Sequence, residues 1–276
     1  MAVKSAWYYR LASRIILLFL LAAAVGPVYL VVSNSFRKTL DISTMPPQLF
    51  FTPIFTHYQR LLSLDNFGRY FVNSVIIAVS VTATVITLGT LAGYGMRLFR
   101  SRIGARFTNL LLLGKLVPAI TVVIPLFVML NRLGLTGTYL GPILAHAAMT
   151  LPFNTWLMTG FIRDIPGELL EAGKVEGCTR MQIFKRIVFP LLAPAVASAV
   201  ILSLTFSWNE LLFSLQLTSV DTYPLPVGVA RYVGAVSVDW GKTSAAATIA
   251  VVPIILAGFF LQKYLVSGMT AGAVKG

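Results

Sequence analysis

Glu171-Ala172-Gly173, followed by Gly177, Ile187 and Pro190, lies in the one extended stretch of this chain where acids and bases recur at helical spacing. Apolar runs flank it, so its chemistry is that of gripping something outside a lipid phase. Two other ionisable residues fall inside apolar runs: Glu210, in Trp208-Asn209-Glu210, and Lys115. A charge at bilayer depth costs at least about 2.5 kcal/mol on insertion scales, so such side chains normally face protein or a water-lined interior. Glu210 therefore lines a solute path, pairs with a base on a neighbouring helix, or closes an interhelical hydrogen bond. Lys115, nearer the end of its run, is expected to snorkel to the cytoplasmic surface.

Bond-making chemistry has little support. No nucleophile, base and oxyanion donor come together in the sequence as an enzyme requires. Gly241-Lys242-Thr243 ends like a phosphate-binding loop, but Val236 stands where that loop needs its first glycine. His57 and His146 have no metal-ligand company and are read as packing or interfacial residues. Cys178 is the single cysteine, so no internal disulfide forms, and a free thiol there fits a reducing cytoplasmic face.

The elements that position these residues follow from composition. Hydrophobic residues make up 57% and charged residues 11%, against roughly 45–50% apolar in soluble domains, and the mean hydropathy is +0.82. A formal charge of +13 does not mark a nucleic-acid surface, because the bases sit in short loops between apolar runs rather than on one solvated face. The expected fold is all-α, a polytopic membrane protein. A span needs about 20 apolar residues, and six segments qualify: about 14–32, 71–96, 109–130, 140–161, 194–217 and 244–264. Continuous runs rather than alternation favour helices over a barrel. The first run is too long for a cleaved signal and reads as a retained anchor.

Bases set the orientation. Lys4, Arg10 and Arg14 precede the first span; Arg97, Arg100, Arg102 and Arg106 follow the second; Arg163, Lys174, Arg180, Lys185 and Arg186 lie in the hairpin. The positive-inside rule places both termini and the hairpin in the cytoplasm. The organisation expected is a tail and first helix (1–33), an external segment with an amphipathic helix (34–69), a core (70–266) holding the cytoplasmic loop 163–190, and a cytoplasmic tail (267–276). The external segment begins in coil around Met45-Pro46-Pro47; Phe55, Tyr58, Leu61 and Leu62 then share helical spacing, as in a helix lying on a membrane surface. A second external segment, about 218–243, either docks a partner or is a capped loop. Gly89 and Gly93 form a Gly-x-x-x-Gly pair that admits a close helix neighbour. Pro118, Pro125, Pro152 and Pro253 are expected to kink spans or free carbonyls.

Local signals make the hairpin a stiff helix-turn-helix. Pro166 opens the first helix, Gly177 stops it, and Thr179 with Gln182 forms a capping box for a second helix carrying Ile183, Phe184 and Ile187 on one face. Pro190 and Pro194 end it before the fifth span.

Spacing in the hairpin resembles the EAA loop of binding-protein-dependent ABC importer permeases: Glu-Ala-Ala, three residues, Gly, nine residues, Ile, one residue, Leu-Pro. Glu171, Ala172, Gly177, Ile187 and Pro190 match; Gly173 and Phe189 depart from the second Ala and the Leu. Tyr70-Phe71-Val72-Asn73-Ser74, Trp208-Asn209-Glu210 and the ending Gly268-Met269-Thr270-Ala271-Gly272-Ala273-Val274-Lys275-Gly276 are similar to the carbohydrate branch that includes the maltose permease subunit. The resemblance implies the type I permease fold with six spans, a second permease subunit in a heterodimer, two ABC ATPase subunits that bind ATP and Mg, an extracytoplasmic solute-binding protein, and a bacterial or archaeal inner-membrane location. It further implies that Glu171, Ala172, Gly173, Gly177, Ile187 and Pro190 couple to an ATPase, and that the tail at Lys275-Gly276 reaches the ATPase interface. This chain itself would bind no cofactor and hydrolyse no ATP. Asn154, Trp208, Asn209 and Glu210 are the candidates for lining a sugar path. The alternatives are a permease for a non-sugar solute, a secondary transporter or channel, for which repeated halves and coupling charges are missing, and an intramembrane enzyme.

Overall fold

The computed structural model describes residues 7–44, 50–98, 110–233 and 238–273, with side chains as far as residue 260. Lys4, the coil at Met45-Pro46-Pro47, the loop bases Arg100, Arg102 and Arg106, Val236 and the tail residues Lys275-Gly276 lie outside the described residues. The fold is all-α; among the described residues the only β pairing is a single bridge between Val233 and Val238.

The chain divides into two compact units. One comprises the stretches up to Phe67 and Val229–Val252; the other comprises Gly68–Gly228 and the chain from Pro253 onward. In the first unit, α1 (Trp7–Ser35) buries only Ser33 and Ser35. Leu17, Leu18 and Phe19 are each more than 60% exposed, and a helix this apolar and this bare belongs in lipid. After α2 (Thr39–Ile42) comes α3 (Thr56–Ser63), where the expected amphipathic helix stands. Its inner face packs within the unit: His57 and Leu61 are buried, and His57 Nε2 lies 2.8 Å from the Arg37 carbonyl.

The phosphate-loop lookalike is explained in the same unit. Asp239 Oδ1 accepts the Lys242 N–H at 3.0 Å, capping the start of the last helix, Trp240–Ala273, and Lys242 Nζ pairs with Asp65 at 2.9 Å. That lysine holds an acid of its own chain, and Gly241 packs directly on the His57 ring.

The second unit begins with α4 (Phe67–Leu98), continues through a short helical piece, Leu110–Leu116, into α5 (Ala119–Arg132) and α6 (Leu140–Asp164), then the hairpin, α10 (Ala193–Asn209), α11 (Leu212–Leu217) and α12 (Leu225–Ala230). The hairpin helices are α7 (Gly167–Val175), α8 (Arg180–Ile183) and α9 (Phe189–Leu191), and Trp240–Ala273 is α13. The Gly-x-x-x-Gly pair does admit a neighbour. A Cβ on Gly89 would stand 3.3 Å from the Thr155 nitrogen and one on Gly93 3.0 Å from the Thr159 nitrogen, so α4 and α6 touch backbone to backbone.

Two expected spans are not single helices. The third breaks at Val117-Pro118, with 99° between Leu110–Leu116 and α5. Pro118 has no N–H to donate and forces Val117 out of the helical region, to φ −73 and ψ 122. The fifth ends at Asn209; Glu210 is extended at φ −74 and ψ 117, and α11 is a separate short helix. Among the described residues, three helices are long and apolar enough to cross a bilayer, and up to five spans result if each bent pair counts as one. α6, at 25 residues, occupies the fourth expected span but carries buried His146, Thr150, Asn154, Thr155 and Thr159.

Candidate functional site

The hairpin is built by local rules that the sequence spells out. α6 ends at Asp164, Ile165 turns extended, and Pro166 stands one position before the first helical residue of α7. At the far end Gly177 adopts φ +78, donates to the Lys174 carbonyl at 3.0 Å, and lets Cys178 donate to the Gly173 carbonyl at 2.9 Å. This paired closure of the last carbonyls is a Schellman motif, and it needs a residue at ease with positive φ. Gln182 N–H then donates to Thr179 Oγ1 at 3.3 Å while Thr179 N–H donates to Gln182 Oε1 at 2.7 Å, the expected capping box. A π turn, Phe184–Val188, inserts between α8 and α9, and the chain bends 76° into α10.

The inner face of the hairpin is fastened to three helices. Ile183, Phe184, Val188 and Leu192 pack with Tyr94 of α4, Met158 and Ile162 of α6, and Ala195 and Ala199 of α10. Tyr94 donates its hydroxyl to the Arg180 carbonyl at 3.0 Å, and Arg97 donates to the carbonyls of Ile162 and, at 2.7 Å, Ile165. Gly173 is the buried residue of α7 and lies under Ile187. The outer face is open: Glu168, Glu171, Ala172, Glu176 and Pro190 are exposed, and Val175 is 89% exposed. Acids flanking a bare apolar strip on a braced helix suit a complementary protein groove rather than solvent alone.

The four path candidates divide. Asn154 is buried, donating to the Thr150 carbonyl at 3.0 Å and accepting from Ser203 Oγ at 3.2 Å. Trp208 is buried with its ring edge-on to Phe71 at 5.8 Å. Asn209 is exposed and donates to the Thr205 carbonyl at 2.8 Å.

Glu210 is buried and fully engaged. Its carboxylate accepts the N–H groups of Phe213 and Ser214, each at 3.0 Å, and sits 3.0 Å from His146 Nε2. A carboxylate only accepts, so Nε2 bears a proton toward it, and Nδ1 lies 2.9 Å from the Ser207 hydroxyl oxygen. Ser214 Oγ completes the group at 3.2 Å from Nε2. One acid thus caps α11 and ties it to α6 and α10, which is why the fifth expected span breaks there. His146, Ser207 and Ser214 were not singled out as a group; the signal is an acid closing an apolar run one turn before a serine.

Asn73, near the start of α4, also escapes a reading by residue type. It donates to the carbonyls of Asp221 and Tyr223, both at 3.0 Å, and accepts the Tyr139 hydroxyl at 2.7 Å, while Ser74 Oγ accepts the Leu225 N–H at 2.7 Å. Together these fix the 221–225 loop onto α4 and beside α6.

Lys115 departs from its expected position. Its ammonium stands 5.7 Å from the centre of the Phe153 ring and 5.5 Å from that of Phe206. Phe153 is the middle of α6, so the side chain does not reach toward the end of that helix that carries Arg163.

Residues 85–271 match the family described as the inner membrane component of binding-protein-dependent transport systems. Among curated relatives, a probable ABC transporter permease, YurM of Bacillus subtilis, is 33% identical over 98% of this chain and 90% of its own length. The trehalose/maltose transport system permease MalG of Thermococcus litoralis is 34% identical over 80% of this chain and 81% of its own. Among solved structures, a bacterial ABC transporter that imports the acidic polysaccharide alginate shares the fold, with a TM-score of 0.80 at 20% identity over 96% of this chain and 99% of that one. With a helical hairpin fastened to α4, α6 and α10 and apolar helices broken at two points, the chain belongs to the family of inner-membrane components of binding-protein-dependent transport systems.

Proposed function

We propose that this chain is one of two membrane subunits that together enclose the path of a sugar or sugar-like solute, and that it takes its motive force through the hairpin. The chain crosses the membrane six times, with both termini and the hairpin in the cytoplasm. The α7 face bearing Glu171 and Ala172 seats in a cleft of an ATPase subunit that binds ATP and Mg. Closure of the ATPase pair then tilts the attached helices from inward-open to outward-open. An extracytoplasmic binding protein delivers the solute at the opposite face.

The observation that carries the reading is the contrast between the two faces of the hairpin. One is fastened through Tyr94, Arg97 and Ile183; the other exposes acids beside Ala172 and Val175. A rigid projection with an unsatisfied contact face transmits displacement, whereas a loosely tethered loop absorbs it. The sugar class draws support from relatives whose names give trehalose and maltose, or diacetylchitobiose, as the transported compound. A complex with a periplasmic protein carrying an alginate pentasaccharide is a further structural neighbour, with a TM-score of 0.67.

The test is purification of the tagged chain from its native membrane, with identification of co-eluting proteins and reconstitution in vesicles. The expected result is a complex with a second permease and ATPase subunits, showing ATP-dependent sugar uptake once the receptor is added. A stable complex lacking any ATPase overturns the reading.

A further inference from the structure

Lys115 is a cation with no carboxylate partner among the described residues. Its depth follows from its neighbours. α6 has 25 residues from Leu140 to Asp164, and at about 1.5 Å per residue Phe153 lies roughly 16 Å from the Asp164 end. With α6 read as a span, as proposed above, an ammonium held against Phe153 stands near the middle of the apolar layer, where a lone charge is functional far more often than structural. Two aromatic faces stabilise the ion through their quadrupoles, yet they leave its charge uncancelled. An anion brought to that spot still gains the full ion-pair attraction.

The backbone reinforces the point. Lys115 sits in the turn Gly114–Leu116, just before the 99° break at Val117-Pro118. Transporters commonly build their solute sites from discontinuous helices near the bilayer midplane, because broken backbone is tolerated only beside protein or a wet cavity. The lysine is also exposed on this chain, as are Trp156 and Asn209 on the same two helices that carry Phe153 and Phe206. A cation and two aromatic faces thus meet near the middle of α6.

We propose that Lys115 is a specificity-determining residue of the solute path, and that it receives the carboxylate or sulfonate of an acidic saccharide passing between the two membrane subunits. The inference rests on the permease reading above and names the substrate class of its path. Phe153 and Phe206 are positioning residues that hold the ammonium away from the lipid and aim it at the path.

The experiment measures binding to the purified complex without its receptor, so that the receptor's own selectivity does not intervene. The probes are radiolabelled tri-galacturonate and its carboxyl-reduced, neutral counterpart, which share ring geometry and differ in charge. The wild-type complex is expected to hold the acidic probe at least about 10-fold more tightly than the neutral one. Lys115→Met should abolish that difference, Lys115→Arg should keep it, and Phe153→Leu should weaken it. Equal binding of the two probes, no binding of either, or loss of the second subunit from the Lys115→Met complex overturns the proposal, the last because it would make an acid of the partner the lysine's counter-ion. ATP-dependent uptake of any sugar by the same complex reports separately on the permease reading, which survives if only the charge preference fails.

Discussion

Gly173 lies directly beneath Ile187: a Cβ built on Gly173 would stand 2.9 Å from Ile187 Cδ1 and 3.2 Å from Ile183 Cγ1. The two arms of the hairpin touch here, helix to helix, and the contact sets how far Glu171 projects. Gly173→Ala gains about 1 kcal/mol of helix propensity against a shift of the flexible isoleucine tip, so it should leave thermal stability of the complex within about 1 kcal/mol of wild type. Gly173→Leu overpacks the seam by about 1–3 kcal/mol. Its uptake should fall while the chain still inserts, measured by transport and membrane extraction together. Unchanged uptake in Gly173→Leu would show that the arms can separate freely.

Gly177 should tolerate substitution poorly for a different reason. At φ +78 any residue with a Cβ is strained by about 1–2 kcal/mol, so Gly177→Ala should lower coupling modestly. Gly177→Pro removes the N–H that closes on Lys174 and cannot adopt that φ, so it should abolish ATP-driven uptake. The ratio of ATP hydrolysed to solute moved is the discriminating measurement, since a merely misfolded chain would lose both together.

Glu171→Lys reverses charge on the exposed face and touches nothing buried. The variant should insert and fold with unaltered stability, yet lose co-purification with the ATPase or lose uptake by at least tenfold. Transport at wild-type rates would exclude this face as the contact.

Glu210→Ala should be the most destabilising single change in the second unit. It strips two backbone N–H groups and His146 of their shared acceptor; each buried donor left without a partner costs about 1–3 kcal/mol. Glu210→Gln keeps the shape and one acceptor oxygen and should lose less. Thermal unfolding of the purified complex ranks the two, and equal midpoints for Glu210→Ala and wild type would refute the capping role.

Asn73→Ala leaves the carbonyls of Asp221 and Tyr223 without their donor and the Tyr139 hydroxyl without its acceptor. A loss of about 2 kcal/mol is expected. It should appear first as protease sensitivity between residues 218 and 225, before any global unfolding.

Local chemistry explains which parts of this fold were legible in the residue string. Gly177, Thr179 and Gln182 act within a few residues of themselves, so the hairpin, its turn and its second cap follow directly from their order. Gly89 and Gly93 announced a close neighbour but not that α6 would be the one. Pro118 marked its own kink, but the break at Glu210 was masked by the continuity of apolar residues on both sides, because hydropathy averages over a window and a single backbone turn does not alter the average. Lys115 was misplaced for the same reason: distance to the end of a run measures depth only if the run is one straight helix. The His146, Ser207, Glu210 and Ser214 cluster joins residues up to 68 positions apart, a pairing that no spacing rule covers.

Arg97 donates to the carbonyls of Ile162, in the last turn of α6, and Ile165, just past its end. One guanidinium therefore clasps the joint between lever and shaft, and it does so from a different shaft, α4. On the proposed coupling role, a thrust entering at the tip would divide at that joint and travel up two columns at once. Those columns already touch through Gly89 and Gly93, so they would move as a plank rather than as separate rods.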